Sequence, residues 1–130
     1  MQQDYFVLAS SETPEIHFSF SGKMEIIGKS VPEFGNDFWE SAINWFNRYM
    51  MNPAEKTTFN LQIDYLNTSS SKYILQLLYR LNELTDKGLQ AEVIWGFHTN
   101  DIDMLEVGKD YEHMVKVPFT FYKIEEEVCS

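Results

Sequence analysis

Four hydroxyl side chains stand in a row at Thr68-Ser69-Ser70-Ser71, preceded by Asn67 and followed by Lys72. Such a run can cap a helix, hold an anion or accept a phosphoryl group. Capping takes one Ser or Thr, whose oxygen accepts a bond from an unpaired backbone N–H and contributes ~1 kcal/mol. Four in a row exceed that need. A phosphate on one of them would bring up to two negative charges and three acceptor oxygens to the positive end of a helix dipole. The helix would tolerate the group, while the surface seen by a partner would change sharply in charge. Thr68 or Ser69, expected just ahead of the helix, would be open to a kinase, and residues inside the first turn less so. Asn67, Ser69, Ser70, Ser71 and Lys72 would frame the site, with the lysine offsetting the phosphate.

The enzymatic readings of the same segment are weaker. Strand, loop, lysine and helix follow each other as in a phosphate-binding loop, but the glycines that let backbone amides wrap a nucleotide are missing. Ser69-x-x-Lys72 has the spacing of the Ser-x-x-Lys pair of penicillin-binding enzymes, yet the chain is too short and lacks their companion motifs. The competing class is a small α/β domain that binds an anionic metabolite, or acts as an enzyme, at the 67–72 junction. Its catalytic groups would converge from the loops after Leu66 and Phe97.

Other candidates carry less. His17, His98 and His113 show no metal-ligand spacing among themselves or with Cys129, so no metal and no cofactor is expected. Cys129 is the single cysteine, next to the last residue, and cannot form an intramolecular disulfide. Asp101, Asp103 and Glu106 are the densest carboxylate group in the body of the chain, without the glycine and alternation of a calcium loop. Helix capping and a favourable dipole explain them; a partner-recognition patch is the second reading. Trp39, Trp45, Phe46 and Tyr49 recur at helical spacing and belong to the core rather than to a stacking surface.

The 130 residues amount to one domain, with 44% apolar and 23% charged residues. Ten Lys and Arg against twenty Asp and Glu give a net charge of −10, which argues against nonspecific nucleic-acid or anionic-membrane binding. The N-terminus lacks the basic and apolar regions of a secretory signal, and no apolar run approaches the ~20 residues that span a bilayer. A cytoplasmic protein is expected.

The elements that would position the hydroxyl run follow from periodicity. Glu15–Phe20 and Lys23–Ile27 alternate around Ser21-Gly22, predicting a β-hairpin. Tyr5–Leu8 is apolar and forms either an N-terminal strand or a segment lying across the fold. Pro32-Glu33 opens a helix whose stripe is Phe38, Ala42, Trp45, Phe46 and Tyr49, ended by Asn52-Pro53. Phe59, Leu61, Ile63 and Tyr65 alternate in the clearest strand, over 57–66. Ile74, Leu77, Leu78, Leu81 and Leu84 mark the next helix, stopped at Gly88. Ala91–Phe97 is a central strand, 101–115 a third helix, and Lys116–Tyr122 a last strand that Pro118 pushes to an edge. The order β-β-α-β-α-β-α-β gives a single α/β domain over 1–130 with a mixed, mostly parallel sheet. Residues 1–12 and 124–130 are expected to be loosely ordered.

Several segments together resemble one family: Thr13-Pro14-Glu15-Ile16-x-Phe18, Gly28-x-Ser30-x-Pro32-Glu33, Trp45-x-x-x-Tyr49, Tyr65-Leu66-Asn67-Thr68-Ser69-Ser70-Ser71-Lys72, Asp101-x-Asp103-Met104-Leu105-Glu106-x-Gly108 and Pro118-Phe119. The chain is similar, over nearly its whole length, to the SiaC family of bacterial regulatory phosphoproteins. Phe34 follows Pro32-Glu33 where many members have Asn, a departure that touches no candidate site residue. The resemblance implies a fold like that of STAS domains, the anti-sigma-factor antagonists. It implies that Thr68 is modified by a partner serine/threonine kinase and restored by a PP2C-type phosphatase. It further implies that the unphosphorylated protein binds and activates a diguanylate cyclase, raising cyclic di-GMP and promoting biofilm. The expected function is that of a signalling switch, not an enzyme.

Overall fold

The structure is a computed structural model that describes residues 3–31 and 36–125. Among these, six strands and three helices make a single α/β domain: β1 (Tyr5–Val7), β2 (Glu15–Phe18), β3 (Lys23–Ser30), α1 (Asn36–Tyr49), β4 (Lys56–Leu66), α2 (Thr68–Asp86), β5 (Gln90–His98), α3 (Ile102–Met114) and β6 (Phe119–Ile124). The strands lie in the sheet in chain order, β1 to β6. β1–β2 and β2–β3 are antiparallel, and every later pairing is parallel. Each parallel crossover steps one strand in the same direction. With right-handed connections, α1, α2 and α3 therefore all cover one face.

The core fills the space between that face and the helices. Ile16, Phe18, Met24, Ile26, Phe59, Leu61, Val93 and Trp95 alternate along the strands and are buried. They meet Trp45, Phe46 and Tyr49 from α1, the five apolar positions of α2, and Met104 and Tyr111 from α3. The Phe18 ring sits 5.6 Å from Trp45, 5.8 Å from Phe46 and 5.6 Å from Phe59. Gly108 lets α3 close on the sheet: a Cβ there would lie 2.6 Å from Trp95 Nε1, which donates to the Met104 carbonyl at 3.1 Å.

Among the described residues no helix covers the opposite face. Its alternate positions are polar or mixed, including Glu25, Thr58, Asn60, Gln62, Glu92 and Ile94. Tyr122 lies across Gly96, where a Cβ would meet its ring at 2.5 Å.

The hairpin, the three helices and the three later strands stand where the sequence puts them, with shifted ends. Phe20 leaves the strand for a four-residue connection, Ser19–Gly22, closed by Gly22 N–H to the Ser19 carbonyl at 3.0 Å. Its ring packs 4.6 Å from Trp45, so the inward-facing apolar pattern runs past the end of the strand. Gly22 takes φ +101°, and a Cβ would collide with the Lys56 carbonyl, so only glycine fits this turn. Tyr5–Val7, within the stretch expected to be loosely ordered, pairs with β2 through Tyr5↔Phe18 and Val7↔Ile16. β6 begins at Phe119 rather than Lys116, because Pro118 has no N–H to give a ladder. Pro32-Glu33, Phe34, Cys129 and the tail beyond Glu125 lie outside the described residues. No described helix is long and apolar enough to cross a membrane.

Candidate functional site

The carboxyl ends of β3 to β6 share one edge of the sheet, and the hydroxyl run begins there. Pairing between β3 and β4 jumps from Gly28↔Ile63 to Lys29↔Tyr65, leaving Asp64 as the extra residue of a bulge. Bulges bend a strand and re-aim its side chains. Asp64 Oδ1 here meets His98 Nε2 at 2.7 Å. Past the bulge, Asn67 N–H donates to the Ser30 carbonyl at 3.1 Å, holding the start of α2 against β3.

Asn67, not a hydroxyl residue, is the N-cap. Its backbone is extended (φ −78°, ψ 171°), and its Oδ1 accepts from Ser70 N–H at 2.8 Å. Asn caps as well as Ser, so all four hydroxyls fall inside the helix, Thr68 and Ser69 included. The expectation that these two stand ahead of the helix is thereby corrected.

The four hydroxyls then divide in two. Ser70 is fully buried; its Oγ lies 2.6 Å from Ser30 Oγ, and Trp39 Nε1–H donates to both oxygens at 3.3 Å. Ser71 Oγ donates to the Thr68 carbonyl at 2.7 Å, while the Tyr111 hydroxyl donates to the Ser71 carbonyl at 2.9 Å. Thr68 and Ser69 are exposed, and among the described residues neither hydroxyl has a hydrogen bond. Lys72 is exposed, with no ion pair among the described residues, one turn along from Thr68 on the same helix face.

The electrostatics suit an added anion. The first turn of α2 contains no acidic residue, whereas α1 has Asp37 and α3 has Asp103 there. The positive end of the α2 dipole is thus not offset by a carboxylate of its own. Burial pushes the Tyr111 hydroxyl well above the usual tyrosine range, so it stays a neutral donor to the turn.

The carboxylate group sits on the neighbouring helix. Asp101 is the N-cap of α3, its Oδ1 accepting from Met104 N–H at 3.0 Å. Asp103 and Glu106 are exposed on the same helix. Among the described residues no three His, Cys, Asp or Glu side chains group as a metal site.

Sequence reasoning placed Thr68 through Lys72 together but missed what holds them. The spacing of Trp39 marks it only as core, nothing in the sequence marks Tyr111, and His98 reads only as a possible metal ligand. Trp39, Tyr111 and Ser30 lie 31, 40 and 40 residues from their partners. Only an apolar-stripe residue that also carries a donor, as Trp and Tyr do, could have hinted at the contacts.

A family model described as "SiaC family regulatory phosphoprotein" matches residues 7–124. An uncharacterized protein of Pseudomonas aeruginosa strain UCBPP-PA14 is 23% identical over 124 residues, covering 95% of this chain and 98% of that one. Among solved structures, SiaC of Pseudomonas aeruginosa superposes with a TM-score of 0.86 at 22% identity, covering 95% of this chain and all of that one. A crystal structure of the diguanylate cyclase SiaD in complex with its activator SiaC, from the same organism, gives 0.87 at 23% identity, covering 93% and 100%.

Proposed function

Because the chain belongs to the SiaC family of regulatory phosphoproteins, we propose that it is a non-enzymatic signalling switch whose acceptor is Thr68. A serine/threonine kinase transfers the γ-phosphoryl group of ATP to Thr68 Oγ1; the hydroxyl proton leaves to a base of the kinase, and ADP departs. A PP2C-type phosphatase reverses the step by hydrolysis, releasing inorganic phosphate. The unphosphorylated form docks on a cytoplasmic effector, a diguanylate cyclase, and raises its output of cyclic di-GMP, a signal for biofilm. A solved relative in complex with such a cyclase supports the effector class.

The observation that carries the reading is the division of the hydroxyl run. Ser70 and Ser71 are engaged in holding the turn, while Thr68 and Ser69 face water with unpartnered oxygens. Thr68 has in addition Lys72 one turn away. A dianion at that position leaves the helix intact and is barred from a dry interface, since losing ~3 kcal/mol of binding weakens a partner more than a hundredfold. Asp103 and Glu106 border the same edge and extend the surface a partner reads.

The test is intact-mass analysis after incubation with the partner kinase and ATP. Wild type gains one phosphoryl group and Thr68→Ala gains none; equal gain by Thr68→Ala overturns the assignment.

A further inference from the structure

The helix-free face of the sheet holds a cleft of about 180 Å³ lined by Lys23, Glu25, Thr58, Asn60 and Ile94. Three of these stand in one row across the sheet, Glu25↔Asn60↔Ile94. Its polar groups are unbalanced. Glu25 is half-buried and has no ion pair among the described residues. Asn60 Oδ1 is enclosed and has no hydrogen-bond partner, an arrangement rare for a buried acceptor. Thr58 Oγ1–H is already given to Glu92 Oε1 at 3.1 Å. Lys23 is exposed at the mouth, forming no ion pair with Glu25 among the described residues. The cleft therefore offers the unpaired Glu25 carboxylate beside Ile94, with the Asn60 amide at its floor and the Lys23 ammonium at its mouth.

We propose that this cleft is a binding site for a guanidinium group. The planar guanidinium carries five N–H donors in a fixed fork, is always charged, and sheds water more readily than an ammonium. Two donors meet the Glu25 carboxylate, and a third meets Asn60 Oδ1 after a turn of the amide towards the cleft. The ring-like plane of the cation lies on Ile94, and Lys23 swings out on its flexible stem. The volume suits one side chain. The site lies on the face opposite α2, so it is independent of the phosphorylation of Thr68.

Two sources share this chemistry, an arginine side chain of a polypeptide and free arginine. Amide NMR of the full-length protein, titrated with N-acetyl-arginine methylamide, free L-arginine and N-acetyl-lysine methylamide, tests the site and separates the sources. The expected result is a saturable shift of the Asn60 side-chain amide and of Ile94 with the capped arginine. The lysine analogue and the Glu25→Gln protein should each show at least tenfold weaker binding. Free arginine binding no tighter than the capped form assigns the site to a polypeptide side chain; at least tenfold tighter binding assigns it to the free amino acid. Absence of a saturable shift at Asn60 with both arginine probes, equal binding of lysine, or an unchanged affinity in Glu25→Gln overturns the proposal. The amide spectrum of Glu25→Gln reports in the same experiment that the variant is folded.

Discussion

The Tyr111 hydroxyl reaches from α3 to the Ser71 carbonyl on α2 across 2.9 Å, tying the first turn that bears Thr68 to a helix that starts beside the neighbouring strand. With Trp39 reaching from α1 to Ser70 and Ser30 from β3, three other elements fix that turn. Thr68 and Ser69 thus stand on a base fixed from three sides, and the proposed phosphate would add charge there without breaking any of these bonds.

Removing the Tyr111 hydroxyl should show in alkali. Burial raises its pKa above the ordinary value of 10.0, so the unfolded tyrosine loses its proton first as pH rises. The protonated form favoured by folding is complete below pH ~10, and that contribution falls away above it. Urea denaturation should find Tyr111→Phe about 1 kcal/mol less stable at neutral pH, from the lost bond to Ser71. Between pH ~10 and ~12 its stability should decline less steeply than that of wild type; parallel curves would show that Tyr111 is not the group responsible.

The cap offers a second check. Asn67→Ala leaves Ser70 N–H without its acceptor and should lower stability by about 1 kcal/mol, a fall in Tm of roughly 2–5 °C for a chain of this size. Asn67→Ser should restore most of it. Calorimetry of the two variants decides whether Asn67 or a hydroxyl residue is the working cap.

Ser70→Ala deletes one corner of the buried Ser30–Ser70–Trp39 triangle and should destabilise the protein by ~1–3 kcal/mol. It should still gain one phosphoryl group with the kinase. Loss of the mass increment in a folded Ser70→Ala protein would place the acceptor inside the triangle and not at Thr68.

Two glycines should respond differently to the same methyl group. Gly108→Ala drives a Cβ to within 2.6 Å of Trp95 Nε1, an overpacking that costs about 1–3 kcal/mol, and should shift tryptophan fluorescence by disturbing the bond to Met104. Gly88→Ala has nothing within 4 Å, so its effect is confined to strain at φ +84°, about 1 kcal/mol. Thermal melts of the pair measure the difference.

Periodicity made most of the fold legible. Strict alternation over Phe59–Ile63 and the stripes of α1 and α2 fix elements because burial imposes the period; the bulge at Asp64 ends it, and Tyr65, expected on the buried face, is 52% exposed. The run Tyr5–Val7 is too short to show one, and its strand exists only because β2 offers an edge. Phe20 misled because an aromatic in a turn satisfies the same apolar pattern as a strand residue. At the candidate site the hydroxyl run was visible as a local string. Which of its members face water was not, since that depends on Trp39, Ser30 and Tyr111, brought in by tertiary packing.

Because the strands lie side by side in the order of synthesis, every parallel pairing closes across one helix and no segment has to thread past another. Each of those pairings still has to wait for its crossover helix, so loop closure comes before any parallel contact stabilises the sheet. No strand has to insert between two that are already paired, so each can join the sheet at an open edge.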